Sequence, residues 1–123
     1  MVGDMEKLIK NEKHDLKNKN VNLFEITKKF FSNFNHDEIE FLIDKYLSKQ
    51  LIDIFSDKDY MNSINTFFDC NFNLAEASRI SFLHRNTILY RIEKIYKETG
   101  LNIRDFKDAF TFKLLSMIYE AKR

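Results

Sequence analysis

The chain contains no proline, and its two glycines stand at positions 3 and 100. Proline breaks helices and glycine supplies the left-handed residues of tight hairpin turns. A long stretch lacking both has few means of turning a β-hairpin, while the abundant Lys, Glu and Leu are good helix formers. The fold class this implies is all-α, a helical bundle. With 44% apolar residues among 123, the chain can bury a real core in one domain with an extension. Thirteen Phe and no Trp make phenylalanine the main source of large buried area.

The net charge of +1 gives no global argument for an anionic partner, but the distribution is uneven. Residues 1–57 hold nine Lys and no Arg against eleven acids, a balance of −2. Residues 58–123 hold six Lys and five Arg against eight acids, a balance of +3. All arginines therefore lie in the second half, and arginine is the residue suited to forked contacts with phosphates and guanine edges.

The organisation expected is a flexible N-terminal arm over 1–20, a helical region over 21–56 that serves packing or dimerisation, and a third region over 57–123. Asn22 can cap a first helix whose stripe is Leu23, Ile26, Phe30 and Phe34, with Phe24 and Phe31 beside it. Ile39, Leu42, Ile43, Tyr46 and Leu47 mark a second, with a break near Ser48 and a continuation to Phe55. Asp57 caps a helix in which Tyr60, Ile64, Phe67 and Phe68 share a face. Asn73, with Glu76 three residues on, opens a short helix in which Leu74, Ala77 and Ser78 can face inward. "HRNTILYRIEKIYKETG", residues 84–100, gives the next. Ile88, Ile92, Ile95 and Tyr96 form its buried side, and Asn86, Tyr90, Lys94 and Lys97 lie opposite. Gly100 ends it, with Leu101 placed to meet Tyr96 in a Schellman motif. Asp105 can cap the last helix. One of its faces is Phe106, Ala109, Phe110, Leu114, Met117 and Ile118, and a second strip is Phe112, Leu115 and Tyr119. A helix apolar on two sides suits two partners, the domain's own core and another subunit.

A short helix, a tight linker and a second helix carrying polar residues outward is the arrangement of a helix-turn-helix. Such a unit sets its second helix, here about 85–98, in the major groove of DNA. Arg85 can donate a fork to guanine, Asn86 can pair with adenine, and Thr87 offers a hydroxyl and a methyl. Tyr90, Arg91 and Lys94 reach the flanking backbone, and the helix N-terminus adds N–H donors for a phosphate. Each residue has a plainer reading too. For Arg91 an internal salt bridge weighs as much as a phosphate contact. Tyr90 can cap the core, and Lys94 and Lys97 can pair with Glu98 and Glu93. His84 reads best as a cap or turn residue.

The segment "NLAEASRISFLHRNTILYRIEKIYKETGLNIRDF" resembles the C-terminal helix-turn-helix of PucR- and CdaR-type bacterial transcriptional regulators. The resemblance rests on Phe82, Leu83, His84, Arg85, Asn86 and Thr87, then Tyr90 and Arg91, then Thr99, Gly100 and Leu101. It covers roughly residues 58–119 and implies a sequence-specific DNA-binding regulator, acting in the cytoplasm as a homodimer on double-stranded DNA. Three positions depart from the pattern. Ser78 stands where Ala is usual, Ser81 replaces an inward apolar residue, and Leu89 replaces a common basic one. Relatives usually carry a large N-terminal sensory region, for which this chain has no room.

Other functions find less support. One cysteine and three scattered histidines make no metal-ligand spacing, and no glycine-rich loop is present to cradle a cofactor's phosphate. No nucleophile is paired with a base, so an enzyme is not expected. No run is long enough for a membrane span. The alternative is a helical protein–protein interaction module, with Phe-rich helices binding a partner beside a vestigial helix-turn-helix.

Overall fold

The computed structural model describes residues 22–122; the arm expected over residues 1–20 lies outside the described residues. Among the described residues there are seven helices and no strand. They fall into two compact units that divide between Asn33 and Phe34.

The first unit contributes α1, Leu23–Ser32. Its register differs from the expected stripe: Ile26 and Phe30 are exposed, whereas Phe31 is buried. The Phe30 and Phe31 rings meet edge to face at 5.7 Å.

The second unit runs through six helices, and polar side chains mark most of their starts. α2, His36–Tyr46, opens on a capping box. The Glu38 N–H donates to Asn35 Oδ1 at 2.8 Å and the Asn35 N–H to Glu38 Oε1 at 2.9 Å. The chain breaks at Leu47, and the Ser48 hydroxyl accepts the Leu51 N–H to start α3, Lys49–Ser56. Asp57 accepts the Tyr60 N–H at 3.1 Å and starts α4, Lys58–Asp69. After α4 the chain reverses through Asn71 and Phe72, both in the left-handed region. α5 is Leu74–Ser81, α6 is Arg85–Thr99 and α7 is Phe106–Glu120.

α4, α5 and α6 pack on one another as a three-helix unit. α3 lies against α4, α6 and α7, and α2 against α7. The centre of this packing is Ile64, Phe67, Ala77, Ile88, Ile92, Ile95, Ile103 and Phe112, all at most 2% exposed. Each large side chain among them contributes about 1.5–3 kcal/mol by leaving water. Phe112 stands edge-on to Phe55 at 5.1 Å and to Phe68 at 6.3 Å. Beside it on α7, Lys113 Nζ donates to Asn65 Oδ1 at 2.8 Å, and burial holds its pKa below the usual lysine value.

The burial of α7 draws on both of its apolar strips. Ala109, Phe112, Ser116, Met117 and Ile118 are buried, but Phe106 and Phe110 are 70% and 54% exposed. Their ring centres lie 6.2 Å apart on the outside of the helix, the planes tilted by 40°. The Asp105 side chain makes no capping bond; the carboxylate of Asp108 instead accepts the Asn102 N–H at 2.9 Å, within the loop leading to α7. No helix among the described residues is long and apolar enough to cross a membrane.

Candidate functional site

α5 and α6 are joined by residues 82–84 and held in contact along their length. At the α5 start, Asn73 Oδ1 accepts the Glu76 N–H at 3.0 Å. The Glu76 carboxylate turns to Arg79 in a two-bond ion pair, and that guanidinium holds the Glu76 carboxyl below the ordinary carboxylate range. Ala77, fully buried, lets the two helices approach closely. The two serine departures are both accommodated by hydrogen bonds. The Ser78 hydroxyl donates to the Leu83 carbonyl and ties α5 to the linker. The Ser81 hydroxyl donates to the Ala77 carbonyl at 2.7 Å, so its half-buried position leaves no bare polar group.

His84 is the N-cap of α6. Its Nδ1 accepts the Asn86 N–H at 3.0 Å, and its carbonyl accepts the Thr87 N–H at 2.9 Å. This corrects one expectation, because two N–H groups of the first turn are already engaged by His84 and not aimed outward at an anion. α6 is held down by Ile88, Ile92 and Ile95. Tyr96, expected on that buried side, is 58% exposed. Leu89 is half-buried, which gives this departure a packing role.

Gly100 closes α6 at φ +80° by donating its N–H to the Tyr96 carbonyl at 2.8 Å. The Leu101 N–H goes to Thr99 Oγ1 at 3.2 Å, so the end is a single-bond left-handed cap and not the Schellman motif. A Cβ added at Gly100 would meet nothing within 4 Å. Gly100→Ala should therefore cost only the left-handed backbone strain, about 1 kcal/mol. A urea titration would read this as a lower midpoint at unchanged slope.

Of the residues singled out from the sequence, Arg85, Asn86 and Tyr90 are exposed and Thr87 and Lys94 are half-buried, all on α6. Lys94 Nζ lies 4.0 Å from Glu98, a loose pair. Arg91 is placed differently. Its side chain is only 16% exposed and is gripped by α4. Nη2 meets Asp59 Oδ2 at 2.9 Å and Nη1 donates to Ser63 Oγ at 2.7 Å and the Asp59 carbonyl at 3.3 Å. The guanidinium stands 5.4 Å from the centre of the Tyr60 ring. The Tyr60 hydroxyl returns the tie by donating to the Arg91 carbonyl at 2.6 Å. Burial, assisted by the Glu98 charge, pushes the Tyr60 phenol up to about 12, so it remains a donor well above neutral pH.

This network fixes the rotation and height of α6 on α4. Its α4 members, Asp59, Tyr60 and Ser63, were not legible as site residues, because nothing local links them to a position about thirty residues on. The outward side of α6 thus carries one exposed guanidinium, a carboxamide, a hydroxyl, a phenol and an ammonium, with the exposed carboxylates of Glu93 and Glu98 farther along the helix. It offers hydrogen-bond donors of several reaches and no candidate catalytic pair. Among the described residues no group of three His, Cys, Asp or Glu could hold a metal ion.

Comparison with known proteins agrees with this geometry. The chain is similar over 54 residues, at 32% identity, to the uncharacterized protein YxkF of Bacillus subtilis (strain 168). That stretch covers 44% of this chain and 18% of the relative, so the chain spans less than a fifth of that protein's length. No solved structure matches. Residues 60–117, just under half of the chain, match the family described as the PucR C-terminal helix-turn-helix domain. With α4 to α6 packed as a three-helix unit, residues 60–117 are similar in sequence to the PucR C-terminal helix-turn-helix domain, and the fold of that stretch agrees with the match.

Proposed function

We propose that the protein is a sequence-specific DNA-binding transcriptional regulator whose α6 enters the major groove. The observation that carries this is the division of α6 into a fixed side and a presented side. The isoleucines and Arg91 hold the helix to its own domain, and Arg85, Asn86, Thr87, Tyr90 and Lys94 are left for a partner. Arg85 and Asn86, at the N-terminal end, are the base-reading pair, suited to guanine and adenine edges. Thr87, Tyr90 and Lys94 follow the sugar–phosphate backbone. Arg91 serves the interface from behind, as the residue that sets the helix. The regulator works in the cytoplasm as a homodimer on two half-sites about one helical turn apart, or a multiple of that. The neighbouring Phe106 and Phe110 on the outer side of α7 supply apolar surface for the subunit contact.

The test is a salt series of binding to random duplex DNA. Each neutralised phosphate contributes a slope of about −0.9 in log K against log salt. Lys94, the one cation set on the backbone, gives a slope of about −1 per protomer and about −2 for a dimer. Folded protein that fails to bind duplex at low salt would overturn the proposal.

A further inference from the structure

Two phenylalanines of the domain occupy the left-handed region that favours glycine, and they differ in what their rings do. Phe72, at φ +67°, packs its ring edge-on against Phe67 at 5.4 Å and Phe68 at 5.8 Å. Its backbone strain is offset by these two ring contacts, although 37% of the residue stays exposed. Phe82, at φ +58° and ψ +26°, is 95% exposed, more than any other large apolar side chain described. The turn around it is held without help from the ring. Ser78 is bonded to the Leu83 carbonyl, Ser81 to the Ala77 carbonyl, and His84 caps the following helix. A glycine at 82 would relieve the backbone and lose almost no packing. The fold gives no reason for a ring here, so its use lies outside the chain.

The position says what that use is. Phe82 lies three residues before Arg85, so their Cα atoms are at most about 11 Å apart. That is within the width of a B-DNA major groove. A side chain this close to the leading end of α6 is within reach of a base next to those met by Arg85 and Asn86. Bases offer one apolar group to such a ring in the major groove, the C5-methyl of thymine.

We propose that Phe82 is a further base-reading residue, its ring packing on a thymine methyl beside the bases met by Arg85 and Asn86. This rests on the DNA-binding reading of α6. The experiment enriches a random-core duplex library on the full wild-type chain. The enriched duplex is then resynthesised with each thymine replaced in turn by deoxyuridine, which removes the methyl alone. One replacement should weaken wild-type binding roughly three- to tenfold, an effect of one apolar contact. Phe82→Ala should lose the same factor on the thymine duplex and show no further loss with deoxyuridine at that position. Phe82→Gly should lose affinity equally while its thermal midpoint rises, because the left-handed strain is gone.

Phe82→Ala binding like wild type would overturn the proposal. So would deoxyuridine losses that persist unchanged in Phe82→Ala at every thymine, which would place the ring on the backbone. A change in sedimenting mass with unaltered DNA affinity would overturn it too, and assign the ring to a second copy. Failure of the wild type to enrich any duplex at low salt defeats the DNA reading itself. Enrichment with an indifferent Phe82→Ala defeats only the role of Phe82.

Discussion

Replacing Phe112 with alanine is expected to lower the unfolding free energy by about 3–5 kcal/mol. The ring is fully buried and meets Phe55 and Phe68 edge to face, joining α7 to α3 and α4. Removing it deletes the transfer free energy of the ring, leaves a cavity and abolishes two aromatic contacts. A small domain is stable by only about 5–15 kcal/mol, so this variant gives up a large part of its margin. At concentrations where the protein is monomeric, Phe106→Ala and Phe110→Ala on the same helix should stay within about 0.5 kcal/mol, because both rings are exposed in the single chain. Urea titrations of the three variants decide the matter. Equal losses from Phe106 and Phe112 would mean that α7 is packed by a different face.

That contrast also marks where sequence reasoning reaches its limit. α7 carries apolar residues on more than one side, so periodicity names two strips without saying which meets the core. The core takes Ala109, Met117 and Ile118 from one strip and Phe112 from the other, and leaves Phe106 and Phe110 outside. A serine in the core, Ser116, gives no hydropathy signal; its hydroxyl is tolerated because it donates to the Lys113 carbonyl one turn back. Ile103 is fully buried from a loop, where helical periodicity cannot flag it.

α6 is the opposite case. Its apolar residues lie along one stripe among polar ones, so Ile88, Ile92 and Ile95 were legible as its anchor, and Gly100 as its end. The caps at Asp57, Asn73 and His84 were also legible, since a cap is a matter of neighbouring residues. The capping box at Asn35 and Glu38 carries the same local signal, a side-chain acceptor with a Glu three residues on. Arg91 was not decidable. Its two readings differ by partners, Asp59 and Ser63, that only the tertiary fold brings within reach.

Arg85 and Arg91, six residues apart on one helix, should therefore respond to alanine in opposite ways. Arg85 is exposed at the start of α6, so Arg85→Ala should leave the unfolding free energy within about 0.5 kcal/mol. On the enriched duplex it should cost about 1–3 kcal/mol of binding, roughly five- to 150-fold, if its fork reads a guanine. Arg91→Ala removes charged hydrogen bonds to Ser63 and Asp59 and the stacking on Tyr60. The ion pair itself adds little, because Asp59 is 78% exposed, but the hydrogen bonds should bring the loss of stability to about 1.5–3 kcal/mol. Lysine at 91 should recover only part of this, since an ammonium cannot span Ser63 and the Asp59 carboxylate as the planar fork does. Fully folded Arg91→Ala protein should lose a few-fold in DNA affinity through looser placement of α6 and keep the wild-type salt slope, because Arg91 touches no phosphate. A salt slope smaller by about 1 per protomer would move this residue from the back of the helix to its DNA-facing side.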